Sequence, residues 1–188
     1  QDTIKAMLKE GLDASEAFVG NKVGDAKAAI DSAAKKVTAT YSFPYQHHVT
    51  MEPMNATARF TPEKCEVWCG TQNGEAALAA ASEASGLPVG QCDVYKLMLG
   101  GGFGRRGRAD YVRQAVLVAK EMPGTPVKLI WTREEDMTHC QYHPITMCKL
   151  TGGLDANGNL VGLHMRISGQ SILASLLPQN LVNGMDPA

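Results

Sequence analysis

Asp93-Val94-Tyr95-Lys96-Leu97-Met98-Leu99-Gly100-Gly101-Gly102-Phe103-Gly104-Arg105-Arg106-Gly107 is the stretch on which the reading of this chain turns. Asp93 to Leu99 has the pattern of a strand. It runs into three consecutive glycines, a phenylalanine and a fourth glycine, and a helix from Ala109 to Met122 follows, stopped by Pro123-Gly124. Glycine has no Cβ, so such a loop can take positive φ and bring backbone N–H groups close to a ligand. A helix N-terminus beyond the loop favours an anion. Arg105, Arg106 and Arg108 add positive charge at the same end, which the helix dipole penalises unless an anion compensates. The stretch therefore predicts an oxyanion or phosphate ligand, against the plainer reading of a tight turn with solvated arginines.

Gly102-x-Gly104-x-x-Gly107 also satisfies the G-x-G-x-x-G pattern of nicotinamide-binding folds. Two features weigh against that reading. The strand carries Asp93 and Lys96, where a central parallel strand should be almost wholly apolar. The acid expected after the next strand would be Glu134 or Glu135, on a turn that Thr132 caps. A P-loop is excluded because no Gly-Lys-Ser/Thr follows the glycines.

Working outward, residues 2–36 show two helical stretches, the first broken near Gly11 and the second spanning Asp25 to Lys36. Val37 to Phe43 alternates like a strand ended by Pro44. Ala56 to Phe60 and Cys65 to Cys69 read as a hairpin across Thr61-Pro62-Glu63-Lys64. An alanine-rich helix, Glu75 to Ser85, then ends at Gly86. Val127 to Trp131 is a short strand. Thr146 to Leu150 and Leu160 to Ser168 form a long hairpin through Asp155-Ala156-Asn157-Gly158, where Asn-Gly is a strong turn signal. The mixture lacks a strict βαβ rhythm, and the class expected is α+β, with mixed sheets and packed helices.

With 44% hydrophobic and 20% charged residues the chain can build a core without a staple. A net charge of −1 excludes the basic footprint of a nucleic-acid-binding protein, and no apolar run reaches the length of a membrane span. Both ends read as cuts through a longer polypeptide. Cys65 and Cys69 lie at C-x₃-C spacing without a second pair, so they are read as small buried thiols rather than metal ligands. His47, His48 and Glu52 could form a His/Glu metal cluster, or Glu52 could be a general base. The favoured reading makes Glu52 part of a structural loop, with no protein-ligated metal.

Five segments in order resemble the molybdenum-binding subunit of the xanthine dehydrogenase and aldehyde oxidase family, nearest in likeness to the isoquinoline 1-oxidoreductase beta chain. They are residues 48–56 (HVTMEPMNA), 67–73 (VWCGTQN), 100–106 (GGGFGRR), 131–137 (WTREEDM) and 149–155 (KLTGGLD). The resemblance implies a first part of a molybdopterin-binding domain over residues 41–175. Residues 1–40 would be a helical lead-in and residues 176–188 a truncated segment. It places Gln72 beside the apical oxo ligand of molybdenum, and Gly101, Gly102, Phe103 and Gly104 against that oxo group and the pterin. Arg105 and Arg106 would meet the cofactor's phosphates, where many family members carry Gly-Lys instead.

The chemistry implied is oxidation of an aldehyde or N-heterocycle with water as oxygen donor. Electrons would leave to a 2Fe-2S iron-sulfur small subunit or domain, and the cofactor would be molybdopterin cytosine dinucleotide. The family's glutamate base lies far downstream, and no segment here matches it. The chain by itself is therefore expected to hold no molybdenum and to be inactive. The compartment, cytoplasmic or periplasmic, stays open.

Overall fold

In the computed structural model, which describes residues 2–187, helices and strands are mixed as the α+β reading expects. The order is α1 (Asp2–Asp13), α2 (Ala26–Asp31), β1 (Lys35–Phe43), β2 (Gln46–His47), β3 (Asn55–Phe60), β4 (Cys65–Gly70), α3 (Gly74–Ser85), β5 (Cys92–Leu97), α4 (Asp110–Lys120), β6 (Val127–Ile130), α5 (Arg133–His139), β7 (Tyr142–His143), β8 (Thr146–Leu154), β9 (Leu160–Gly169) and α6 (Ile172–Leu176). The chain divides into two units. One holds the residues up to Gln46 and those from His143 on; the other is the continuous stretch His47–Tyr142.

The discontinuous unit is built on an antiparallel sheet of order β1-β8-β9. The β8–β9 turn forms where Asn-Gly predicts it: Asp155 Oδ1 accepts from the N–H groups of Asn157 and Asn159, and Gly158 takes φ +85°. Alternation then gives the sheet two unlike faces. On one face α2 seats the buried Ile30 against Gly153 and Gly162, where an added Cβ would lie 2.9 Å from Ala33 Cβ and 3.0 Å from the Ala26 carbonyl oxygen, respectively. The opposite face leaves Val37, Tyr41, Phe43, Leu163, Met165 and Ile167 about half exposed. Gly153→Val is expected to wedge α2 off the sheet and destabilise the chain by about 1–3 kcal/mol. A lowered urea midpoint checks this, and an unchanged midpoint would contradict the packing described.

Two expectations about this unit are corrected. Gly11 does not break α1; the helix runs through it because a Cβ there would come within 2.2 Å of Ser168 Oγ, so the glycine serves close approach to β9. The second helix is half the expected length, since Lys35 and Lys36 belong to β1, paired with Leu154 and Gly153. Leu8, Leu12 and Ile30 are buried core residues of the unit.

The continuous unit has a four-stranded sheet of order β5-β4-β3-β6, in which only β4 and β5 run parallel. The 61–64 hairpin forms as predicted, and α3 is capped by Asn73 and ends at Gly86 with φ +78°. α4 presents Tyr111, Val112, Ala115, Val116 and Ala119 at helical spacing, and these pack with Ala77 and Ala81 of α3 and with Ala56, Ala58, Cys65, Val67 and Cys69 of the sheet. The small residues let the layers approach closely. Burial pushes the Cys65 and Cys69 thiols up to about 11, so they are inert packing groups, as their spacing suggests.

This topology corrects the nicotinamide alternative. β5, the strand before the glycines, is an edge strand, and the sheet lacks the parallel βαβαβ half that a dinucleotide fold needs. β5 also ends at Leu97 rather than Leu99, because its partner β4 ends at the opposing Gly70.

Candidate functional site

Parallel pairing of β4 with β5 brings the loops that follow them to the same end of the sheet. The first loop carries Gln72 and the second carries Gly100–Gly104. β3 runs antiparallel to β4, so the segment entering it, with Glu52, arrives there too. All of these residues lie in the continuous unit.

Gln72 is held at both ends. Its backbone N–H donates to the Arg106 carbonyl (3.1 Å), and its side-chain Oε1 accepts from Gly104 N (3.1 Å) and Arg106 N (3.2 Å). With Oε1 committed, the amide presents Nε2, a pure donor, as its remaining polar group. Gly102 lies directly beneath: a Cβ there would fall 2.4 Å from Gln72 Oε1. Gly101 and Gly104 take φ +97° and +99°, and Phe103, exposed at its side chain, is held at φ +52°. A non-glycine residue at positive φ stores strain of the kind found at functional loops. Among the described residues, the N–H groups of Gly102 and Phe103 meet no acceptor. The structure thus brings together Gln72, Gly101, Gly102, Phe103 and Gly104.

Arg105 and Arg106 depart from expectation. Both are buried, at 1% and 0% exposure. Arg105 makes a forked pair with Asp110 (2.8 and 2.7 Å), donates from Nε to Cys140 Sγ (2.9 Å) and lies 5.5 Å from the Trp131 ring centre. Arg106 donates to the carbonyls of Gly101 (2.9 Å), Gly70 (3.2 Å) and Glu52 (2.7 Å), and to Glu52 Oε2 (3.0 Å). Neither guanidinium is open to a phosphate, and that assignment is corrected. The physical reason is local. α4 begins at Asp110 after a 3₁₀ turn, Arg105–Gly107, so its N-terminus is served by its own acid, which Arg105 then neutralises. Asp110 and Cys140 are partners that the sequence reading misses; an acid five residues from Arg105 is the available signal for the first.

Glu52 is a structural residue, as favoured. It accepts from Asn55 Nδ2 (2.8 Å), Gly100 N (2.8 Å) and Arg106. Burial pushes its carboxyl up, but those bonds and the Arg106 charge outweigh burial and hold it below the ordinary carboxylate range. The histidines serve the backbone. His47 Nδ1 accepts from Val49 N (2.8 Å), so the proton sits on Nε2, which donates to the Asp136 carbonyl (2.6 Å). His47, Asp136 and Cys140 do bring potential ligand atoms within 4.8 Å of one another. However, both His47 nitrogens are committed and the Arg105 guanidinium sits on Cys140 Sγ, so the group has neither the lone pair nor the field that a cation needs.

Residues 12–175 match the molybdopterin cofactor-binding domain. The chain is 27% identical to one of the chains of nicotinate dehydrogenase from Pseudomonas putida, over 87% of this chain and 14% of that protein. It is also 27% identical to the beta chain of isoquinoline 1-oxidoreductase from Brevundimonas diminuta, over 75% of this chain and 18% of that protein. Among solved structures, the aldehyde oxidoreductase of Desulfovibrio gigas superposes with a TM-score of 0.60 at 19% identity, covering 76% of this chain and 16% of that one, which supports the fold. The chain thus spans under a fifth of the length of these relatives. The match begins at residue 12, inside the stretch read from sequence as a lead-in, and takes in both units. With the donor loops of Gln72 and Gly101–Gly104 seated at one end of its sheet, the chain belongs to the molybdopterin cofactor-binding domain family.

Proposed function

We propose that this chain forms one wall of the molybdenum cofactor site in a larger oxidoreductase. The observation that carries the reading is the commitment of Gln72 Oε1 to two loop N–H groups. That leaves its Nε2 and, among the described residues, the N–H groups of Gly102 and Phe103 as donors without a hydrogen-bond acceptor. Such a set suits an electron-rich oxide, because fixed dipoles stabilise charge without reorganising. The residues present fit the group: the Gln72 amide and the glycine loop lie so close that a Cβ on Gly102 would meet the amide. When bound, the molybdenum group supplies two-electron oxidation with oxygen drawn from water. The chain's own residues orient it and hold donors toward it; the general base is expected elsewhere in the full protein.

The substrate class proposed is an aldehyde or N-heterocycle, in keeping with relatives named for aldehyde, isoquinoline and nicotinate oxidation. The cofactor proposed is the cytosine dinucleotide form, with electrons passing to an iron-sulfur partner. Acid release of cytidine monophosphate from the native protein that contains this chain tests the first point, and release of guanosine monophosphate instead would overturn it. In that protein Gln72→Ala is expected to cut turnover about 100-fold, the size of effect seen when one such donor is removed. Undiminished turnover would refute the assignment of the site.

A further inference from the structure

We propose that Glu52 and Arg106 are a positioning pair that sets the shape of the glycine loop, so that Arg106 acts on the loop and not on a ligand. The identity of the ligand rests on the reading above; the grip on the loop does not.

A run of Gly100-Gly101-Gly102 loses more conformational entropy on ordering than any other tripeptide, so it needs fixed anchors. Glu52 supplies the first. Its Oε2 accepts from Gly100 N (2.8 Å), its own N–H donates to the Gly100 carbonyl (3.2 Å), and a Cβ on Gly100 would lie 2.7 Å from Glu52 Cβ. Arg106 supplies the second, through Nε to the Gly101 carbonyl (2.9 Å). Arg106 also acts from the far side of the loop, where its backbone N–H and that of Gly104 hold Gln72 Oε1. The two residues grip each other, Nη2 to Oε2 at 3.0 Å and Nη2 to the Glu52 carbonyl at 2.7 Å. Gly102 and Phe103, the residues with uncommitted N–H groups, are therefore bracketed by anchored positions.

Plain packing does not account for this arrangement. A buried guanidinium is costly unless every edge is matched, and an apolar residue of similar volume would fill the same space. Here the fork meets four carbonyls and a carboxylate in directions that an ammonium could not satisfy together.

Amide hydrogen exchange on the whole chain tests the pair without any cofactor. In Arg106→Lys and Glu52→Ala, the bonded amides of Gly100, Gly104, Arg105 and Arg106 are expected to exchange roughly tenfold faster or more, and by a larger factor than those of α3 and α4. Glu52→Gln keeps the length and an acceptor oxygen, so partial rescue is expected; it also keeps the proposal testable should truncation unfold the chain. Unchanged exchange at those four amides in folded Arg106→Lys and Glu52→Gln would overturn the proposal. In the native protein that contains this chain, pterin content measured by fluorescence of the oxidised pterin should fall in the same order. If the loop loosens but the wild-type protein holds no pterin, the ligand reading fails and the pair stands. If pterin is present and unaffected by a loosened loop, the pair does not position the ligand-binding groups.

Discussion

Arg106→Met is expected to lower the unfolding free energy by about 2–3 kcal/mol, because it strips donors from buried carbonyls and the cation from a half-buried carboxylate. The substitution keeps volume but leaves the Glu52 carboxylate without its cation, the Gly101 carbonyl without the Arg106 donor and the Gly70 carbonyl with a single donor. Tyr111, whose hydroxyl donates to the same Gly70 carbonyl and whose ring lies 6.0 Å from the guanidinium, cannot make up the loss. The measurement is urea unfolding followed by tryptophan fluorescence, because Trp68 and Trp131 both lie in the unit that holds Arg106. The variant should also respond differently to acid. Glu52 titrates below the ordinary carboxylate range in the folded chain, so its contribution is complete above that range and is lost as pH falls through its folded value. Acidification should therefore weaken the wild type more than Arg106→Met. A variant within about 1 kcal/mol of wild type at neutral pH would contradict the buried pairing.

Gly102→Ala is expected to do the reverse, sparing stability and removing function. The added Cβ would sit 2.4 Å from Gln72 Oε1 and 2.5 Å from its Cδ. Gln72 is an exposed side chain and can swing away, so the cost in unfolding free energy should stay under about 1 kcal/mol. Once displaced, however, Oε1 releases Gly104 N and Arg106 N, and Nε2 no longer shares a site with the loop donors. Turnover of the native protein is expected to fall about 100-fold, with cofactor content measured in parallel to separate loss of binding from loss of orientation. Full turnover with alanine at 102 would show that Gln72 has no role at the reacting group.

What can be read from the sequence follows how local the cause is. The Asn157-Gly158 turn, the Gly86 stop of α3 and the Thr132 cap of α5 depend on a few neighbouring residues, and all three stand in the structure. The meeting of Gln72 with the glycine loop depends on parallel pairing across α3, which no local pattern announces; resemblance to a family supplies it. The arginines mislead because charge beside glycines suggests a ligand, whereas the acceptors that bury them come from Glu52, Gly70 and Asp110. Gly11 and Lys35 mislead for a related reason. Helix propensity sets a weak prior, and a sheet formed with residues more than a hundred positions later overrides it.

That last distance has a kinetic meaning. Thr38 of β1 meets Thr151 of β8 across 113 residues, and the whole of His47–Tyr142 is made between them. On a growing chain, the interposed stretch has all its own strands before β8 exists, so it can collapse first. β1 must meanwhile wait with its backbone groups open, and closing so long a loop costs entropy that folding of the interposed unit reduces by bringing its ends together. The expected order of folding is therefore inside out: the segment that carries the donor loops matures first, and the segment that begins the chain is among the last to find its place.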